Sequence, residues 1–251
     1  MADKMTDQVH SISFDGKNTW DGFGLNMIPN TRPLVNPPEP KTERIDIPGG
    51  NGSINMSRLL NNYTVFKDRE GSWEFTLTDY YNQYDYLNKD QKRWARVFSQ
   101  IMNYLDGRER KVVLNDQPNF YYVGNVHVNK WDSDVHWSKI TLDYTLDPFK
   151  YELTASDEDW LWDPFCFEDG IIREYKNLTS PTTLTIPPRR LMTYPQIYAS
   201  NGNMSVKWNN MTFALKQGWN KFPAMVITPE HNTLQFTGSG TVTVKYRGGE
   251  L

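Results

Sequence analysis

One run, residues 137–151, constrains the fold most. From Lys139 its residues alternate, with Ile140, Leu142, Tyr144 and Leu146 on one face and Lys139, Thr141, Asp143 and Thr145 on the other. That two-residue period belongs to a strand with one buried side. Asp147-Pro148 ends it, because proline has no N–H for a further ladder bond and disfavours the helical region for the residue before it. A helix and hairpins are predicted before this point, and mostly short strands after it. The run is therefore read as the last strand of one domain, residues 1–150, and the exit to a second, residues 151–251, with a connector near 152–170.

A chain of 251 residues can bury two modest cores. Aromatic residues make up 14% of it, with 9 Trp and 14 Tyr, which favours strands over helices. In the first half, Ile12 and Phe14 suggest a short strand closed by Asp15-Gly16, and 20–28 a second apolar segment. Five prolines then fall between Pro29 and Pro40, a composition that gives an extended arm and cannot be a central strand. Residues 42–48 alternate and break at the glycine-rich loop 48–53. That loop lacks both the dinucleotide spacing and the Walker lysine, so it is read as a turn and not as a phosphate cradle. An apolar segment with Ile54, Met56, Leu59 and Leu60 follows, then a strand around Trp73, Phe75 and Leu77.

Between Asn88 and Asp106 the period changes. Trp94, Val97, Phe98, Ile101, Met102 and Leu105 recur at helical spacing, with Asn88 as N-cap, Asp90 at the positive end of the dipole and Gly107 closing the helix. Residues 111–114 and 120–131 then form a hairpin leading into the opening strand. The arm gains little by lying on its own domain, so it and the strand near Thr42 are predicted to make subunit contacts. The residues placed in that interface are Pro29, Arg32, Pro33, Pro40, Arg44 and Ile47.

In the second half, strands are predicted at 182–186, 194–199, 204–208, 211–215, 225–227, 233–236 and 240–246. Asn201-Gly202, Asn209-Asn210, Gln217-Gly218 and Gly238-Ser239-Gly240 supply turns, a rhythm that produces a β-sandwich. The fold class is thus β-rich α+β: a mixed β-sandwich with one long helix, followed by a second sandwich.

No catalytic constellation is legible. The four histidines, His10, His127, His136 and His231, show no metal-ligand spacing, and the single Cys166 reads as a small buried apolar residue. The nucleophile elbow is missing, and the acidic run from Asp157 to Asp169 reads as a solvated connector. Trp208 and Trp219 are read as sandwich core, with a sugar-stacking platform as the alternative. A net charge of −3, from 27 Lys and Arg against 30 Asp and Glu, argues against phosphate neutralisation as the task. No stretch of about 18 apolar residues and no apolar leader appears, so folding in the cytoplasm is expected, with no membrane span. No cofactor, no metal and no enzymatic activity are expected.

Three stretches together resemble the distal tail protein (Dit) family of long-tailed phages: Ile47-Pro48-Gly49-Gly50-Asn51-Gly52-Ser53-Ile54-Asn55-Met56-Ser57, Asp147-Pro148-Phe149-Lys150, and Val244-Lys245-Tyr246-Arg247-Gly248-Gly249-Glu250-Leu251. Residues 63–69 and 73–77 are similar to that family's aromatic-to-arginine turn and the strand after it. The resemblance implies a belt domain that assembles into a homohexameric ring and a galectin-like sandwich outside it. It further implies a virion tail-tip protein, assembled in the host cytoplasm, whose partners are the tail tube protein, the tail-associated hub protein and a receptor-binding protein. DNA would pass through such a ring without specific binding, and the lack of a basic excess suits a wall along which phosphates slide. The competing function is a carbohydrate-binding module that attaches to the host surface through the second sandwich.

Overall fold

The computed structural model describes residues 10–28, 31–57, 63–77, 91–133, 138–158, 175–187 and 191–251. Asn88, Asp90, Leu59, Leu60, Trp137, His136, Cys166 and the acidic connector beyond Glu158 lie outside the described residues, as does the side chain of Trp94. The chain divides into two compact units, Met1–Pro148 and Phe149–Leu251.

The first unit runs β1 (Ile12–Phe14), β2 (Lys17–Asn18), α1 (Thr19–Phe23), β3 (Leu25–Met27), β4 (Arg44–Asp46), β5 (Ser53–Asn55), β6 (Arg69–Leu77), α2 (Gln91–Tyr104), β7 (Asp106–Leu114), β8 (Phe120–Ser133) and β9 (Ser138–Leu146). Seven of its described strands form an antiparallel sheet in the order β2-β1-β7-β8-β9-β6-β3. Alternation in β9 is explained by its place: it pairs with β6 from Arg69↔Leu146 to Leu77↔Ser138 and with β8 from Gly124↔Leu146 to Ser133↔Ser138. Its Ile140, Leu142, Tyr144 and Leu146 are all buried. The sheet curls on itself. Phe14 of β1 and Trp73 of β6 are separated by three strands, yet their rings lie 6.2 Å apart in one core.

The segment expected as one apolar run at 20–28 is a helical turn and then a strand. Asn18 caps α1 by accepting a hydrogen bond from the Trp20 N–H, and Gly24 ends it at φ 69°. In α2, Ile101 and Leu105 are buried and Val97 and Phe98 pack on the core, whereas Met102, one step round the helix, is exposed. Gly107 does not cap α2 as expected. At φ 83° it sits inside β7, where the pairing with β8 shifts register between Asp106 and Glu109, so its left-handed backbone serves a bulge.

The second unit runs β10 (Lys150–Glu152), β11 (Leu178–Thr185), β12 (Gln196–Ala199), β13 (Met204–Trp208), β14 (Met211–Leu215), β15 (Gly218–Lys221), β16 (Thr233–Lys245) and β17 (Gly249–Glu250). β10 pairs with β17, and the other described strands take the order β14-β13-β16-β12-β15, with β11 also on β16. This sheet also curls into a sandwich. β14 and β15 end the path on opposite sides, yet Phe213 of β14 and Phe222, just past β15, meet at 4.7 Å.

Three expectations here are corrected. Residues 233–236 and 240–246 are not two strands joined by a turn: β16 is continuous and bends at Gly238 (φ 96°) and Gly240 (φ 147°). Its first part pairs with β13 and its last part with β12, so one strand serves both layers. Residues 225–227 contribute only the isolated Thr193↔Ile227 bridge. Gly218, read as part of a turn, opens strand β15. Asn209-Asn210 is the tight turn foreseen, with both residues at positive φ between Trp208 and Met211.

Candidate interaction surface

The proline-rich arm is anchored before it is exposed. Pro33 is buried and Val35 packs on the first core. The Trp73 indole N–H donates to the Leu34 carbonyl at 2.7 Å, and the Asn36 N–H donates to the Tyr144 hydroxyl at 2.9 Å. Arg69, at the start of β6 and only 5% exposed, completes the clamp. Its Nη1 donates to the Asn36 carbonyl at 3.0 Å and its Nε to the Pro148 carbonyl at 2.9 Å, while the guanidinium lies 5.5 Å from the Tyr122 ring centroid. No ion pair to Arg69 occurs among the described residues, and its Nη2 is buried without a hydrogen-bond partner. Backbone carbonyls and aromatic faces thus hold this cation in place of a carboxylate, tying the arm to the strand exit. The expectation that the arm gains little from its own domain fails at 33–36.

Beyond Asn36 the arm leaves the core. Residues 39–41 pair with 65–67 through Lys41 N–H to the Val65 carbonyl (2.7 Å) and Lys67 N–H to the Glu39 carbonyl (2.8 Å). From that base the β4–β5 hairpin projects, in the register Arg44↔Asn55, Ile45↔Ile54 and Asp46↔Ser53. Its tip, 48–52, uses Gly49 (φ 73°) and Gly52 (φ 87°). Strand alternation places Ile45, Ile47 and Ile54 on one side and Arg44, Asp46, Ser53 and Asn55 on the other. Ile45 is 51% exposed and Ile54 55%, and Ile47 is exposed as well. Two strands with an uncovered apolar side are marginal in water on their own. Of the predicted interface residues, Arg32, Pro40, Arg44 and Ile47 are exposed, Pro33 is buried, and Pro29 lies outside the described residues.

In the second unit the two singled-out tryptophans part company. Trp208 is 6% exposed and its indole N–H donates to the His231 carbonyl at 3.0 Å, so it is core and unavailable for stacking. Trp219, read as core, is instead 54% exposed on β15, where its ring meets that of Tyr198 on β12. Among the described residues no group of three or more His, Cys, Asp or Glu is placed to hold a metal, and no helix is long and apolar enough to cross a membrane.

No protein-family model matches the sequence, and no curated protein matches it. Among solved structures the chain is similar to SPP1 Dit (gp 19.1), whose crystal structure is described as a paradigm of the hub adsorption apparatus in phages that infect Gram-positive bacteria. The superposition has a TM-score of 0.60 at 12% identity and covers 97% of this chain and 100% of that one. The chain has the distal tail protein fold. In this Dit-like fold the clamp made by Arg69 and the exposure of Ile45 and Ile54 beside Ile47 were the features that sequence reading missed. Alternation shows a strand's two faces, but not that one of them is left without a neighbour.

The clamp of the Dit-like fold has a pH signature. Burial raises the Tyr122 hydroxyl above the ordinary value of 10.0, the nearby Arg69 charge offsetting part of this. Burial likewise raises Tyr144, against the hydrogen bond from the Asn36 N–H and the charge of Arg69, while burial lowers Arg69. A tyrosine raised in the folded state stays protonated where the unfolded chain has ionised. The native protein then binds more protons, and its stability falls with rising pH. The contribution of these two hydroxyls to the first unit's stability should be constant up to about pH 10 and be lost above. Urea midpoints across that range should fall less steeply for Tyr122→Phe, and equal slopes for the two proteins would exclude this origin.

Proposed function

We propose that the protein is a structural component of a phage tail tip: a ring-forming distal tail protein that joins the tail tube to the tail-associated hub and holds the receptor-binding apparatus. The Dit-like fold over nearly the whole chain supports the class, and the exposed apolar side of the β4–β5 hairpin carries the assembly reading. Copies related head to tail around an axis close into a ring. The hairpin of one copy, rooted on the base at 39–41 and 65–67, lays Ile45, Ile47 and Ile54 on the next, with Arg32 and Pro40 near its root and Arg44 on its other side. In this reading the ring has six copies, with the first unit as its belt and the second as a galectin-like sandwich outside it. In that arrangement the ring sits at the virion tail tip, is assembled in the host cytoplasm, and passes DNA without gripping it.

Deleting 33–40 would not test this, because it also removes the Leu34 and Asn36 contacts that hold the first unit together. Paired substitution Ile45→Asp and Ile54→Asp leaves that clamp alone. Two carboxylates buried in a contact that now holds isoleucines should weaken association by more than about a hundredfold. Light scattering should show a multi-subunit mass for the parent and a monomer for the variant, with unchanged circular dichroism. A parent that is monomeric at high concentration, or a variant of unchanged mass, would overturn the assembly role of the hairpin.

A further inference from the structure

The outer face of β12 and β15 carries an aromatic corner that the tail-tip reading leaves unused. Trp219 pairs directly with Tyr198, and their rings lie 5.5 Å apart at 65°, one edge against the other's face. Both are exposed. Two pairs along the ladder, on the same face, Lys221 faces Gln196, which in turn faces Lys245 on β16. Lys245 Nζ lies 2.9 Å from Asp157 Oδ2. An apolar row therefore borders a row of ammonium, amide and carboxylate groups.

The corner is also rigid. Asn220, between Trp219 and Lys221, is buried and points inward. Its Oδ1 accepts from the Lys216 N–H at 2.9 Å, and its Nδ2 donates to the carbonyls of Lys216 (2.8 Å), Gly218 (2.9 Å) and Ile197 (3.3 Å). Ile197 and Ala199, flanking Tyr198, are fully buried. The ring of Trp219 thus stands on a backbone fixed from beneath, which reduces the ordering that a ligand would have to impose.

We propose that this corner binds a saccharide, with a pyranose of an uncharged glycan stacked on Trp219 and its hydroxyls reaching Gln196 and Lys221. Size decides against a protein partner. Two rings of this kind, each offering about 150–250 Å² and each about half exposed, present roughly 200 Å², against the roughly 800 Å² per partner of a stable protein interface. Charge decides against nucleic acid. Bases do stack on such rings, but the strands that carry them need a positive track, and here Lys245 is already neutralised by Asp157. A pyranose has one apolar face and a rim of groups that both donate and accept, which matches an aromatic row beside a polar one.

The proposal stands apart from the tail-tip reading, since the hairpin residues play no part in it. The test applies the full chain to an array of neutral glycans, acidic glycans and single-stranded DNA, followed by calorimetry on the best neutral oligosaccharide at physiological salt. Binding to a neutral glycan is expected, weakened about tenfold or more by Trp219→Ala. Tyr198→Ala should weaken it less, Trp219→Phe should retain part of it, and Ile45→Asp should leave it unchanged. No neutral glycan bound, binding indifferent to Trp219→Ala, or binding to acidic glycans or DNA alone would overturn it. So would a Trp219→Ala variant that changed the mass of the particle, since the corner would then be a contact between copies.

Discussion

Replacing Trp73 with alanine is expected to lower the stability of the first unit by about 4 kcal/mol, the range for removing a large aromatic side chain from a packed core. Trp73 is buried, its ring stacks on Tyr144 with centroids 4.2 Å apart, and its indole N–H holds the Leu34 carbonyl. Alanine would leave a cavity between β6 and β9, strip a hydrogen bond from the arm and loosen the ring whose hydroxyl accepts from Asn36. Trp73→Phe separates these effects, because it keeps most of the stack and loses the arm contact, at about 1–2 kcal/mol. Chemical denaturation followed separately for each unit is the measurement. A loss below about 1.5 kcal/mol for the alanine variant would mean that the arm and core do not depend on this side chain.

In the second unit the largest effect is expected at the bend of β16, where Gly238→Ala should cost about 3 kcal/mol or more. Two penalties meet there. The backbone is left-handed at φ 96°, and an added methyl would run into the Asn203 carbonyl oxygen and approach the Met204 Cα to 2.9 Å. Neither obstacle is the free end of a side chain, so β13 itself would have to shift. Gly218→Ala is the matched control. Its φ of 98° is nearly the same, but nothing lies within 4 Å of the added atom, so only the conformational strain of about 1–2 kcal/mol remains. Equal losses at the two positions would show that close approach of the strands contributes nothing.

Where one face of an element is buried, the sequence announced it. Residues 139–146 alternate because β9 lies inside a sheet with one side on the core, and Val97, Phe98, Ile101 and Leu105 follow the helical period because α2 covers that core. Asn209-Asn210 declared its turn through the two residue types that tolerate left-handed backbone. Other features depend on partners distant in the chain. Gly238-Ser239-Gly240 carries the composition of a turn, and only its pairing with both β13 and β12 makes it a bend within one strand. Trp219 looked like Trp208, since both stand in short sandwich strands. What separates them is which face of its strand each occupies, and the pleat can be read only once the neighbouring strands are known. Arg69 reads as an ordinary strand-end cation until residues 36, 122 and 148 are brought around it. Ile47 was placed at a contact from its position beside the arm, but Ile45 and Ile54 were not, because alternation reports an apolar side and not what covers it.

The unbroken course of β16 has a consequence for how the second unit opens. Since the same backbone carries hydrogen bonds to β13 on one side of the bend and to β12 on the other, neither layer can come apart and leave the other's ladder intact. Partial opening is then confined to the outer strands β11, β14 and β15, whose amides should exchange with solvent through small, frequent fluctuations. The amides of β16 on both sides of Gly238 exchange together, through the rare opening of the whole unit.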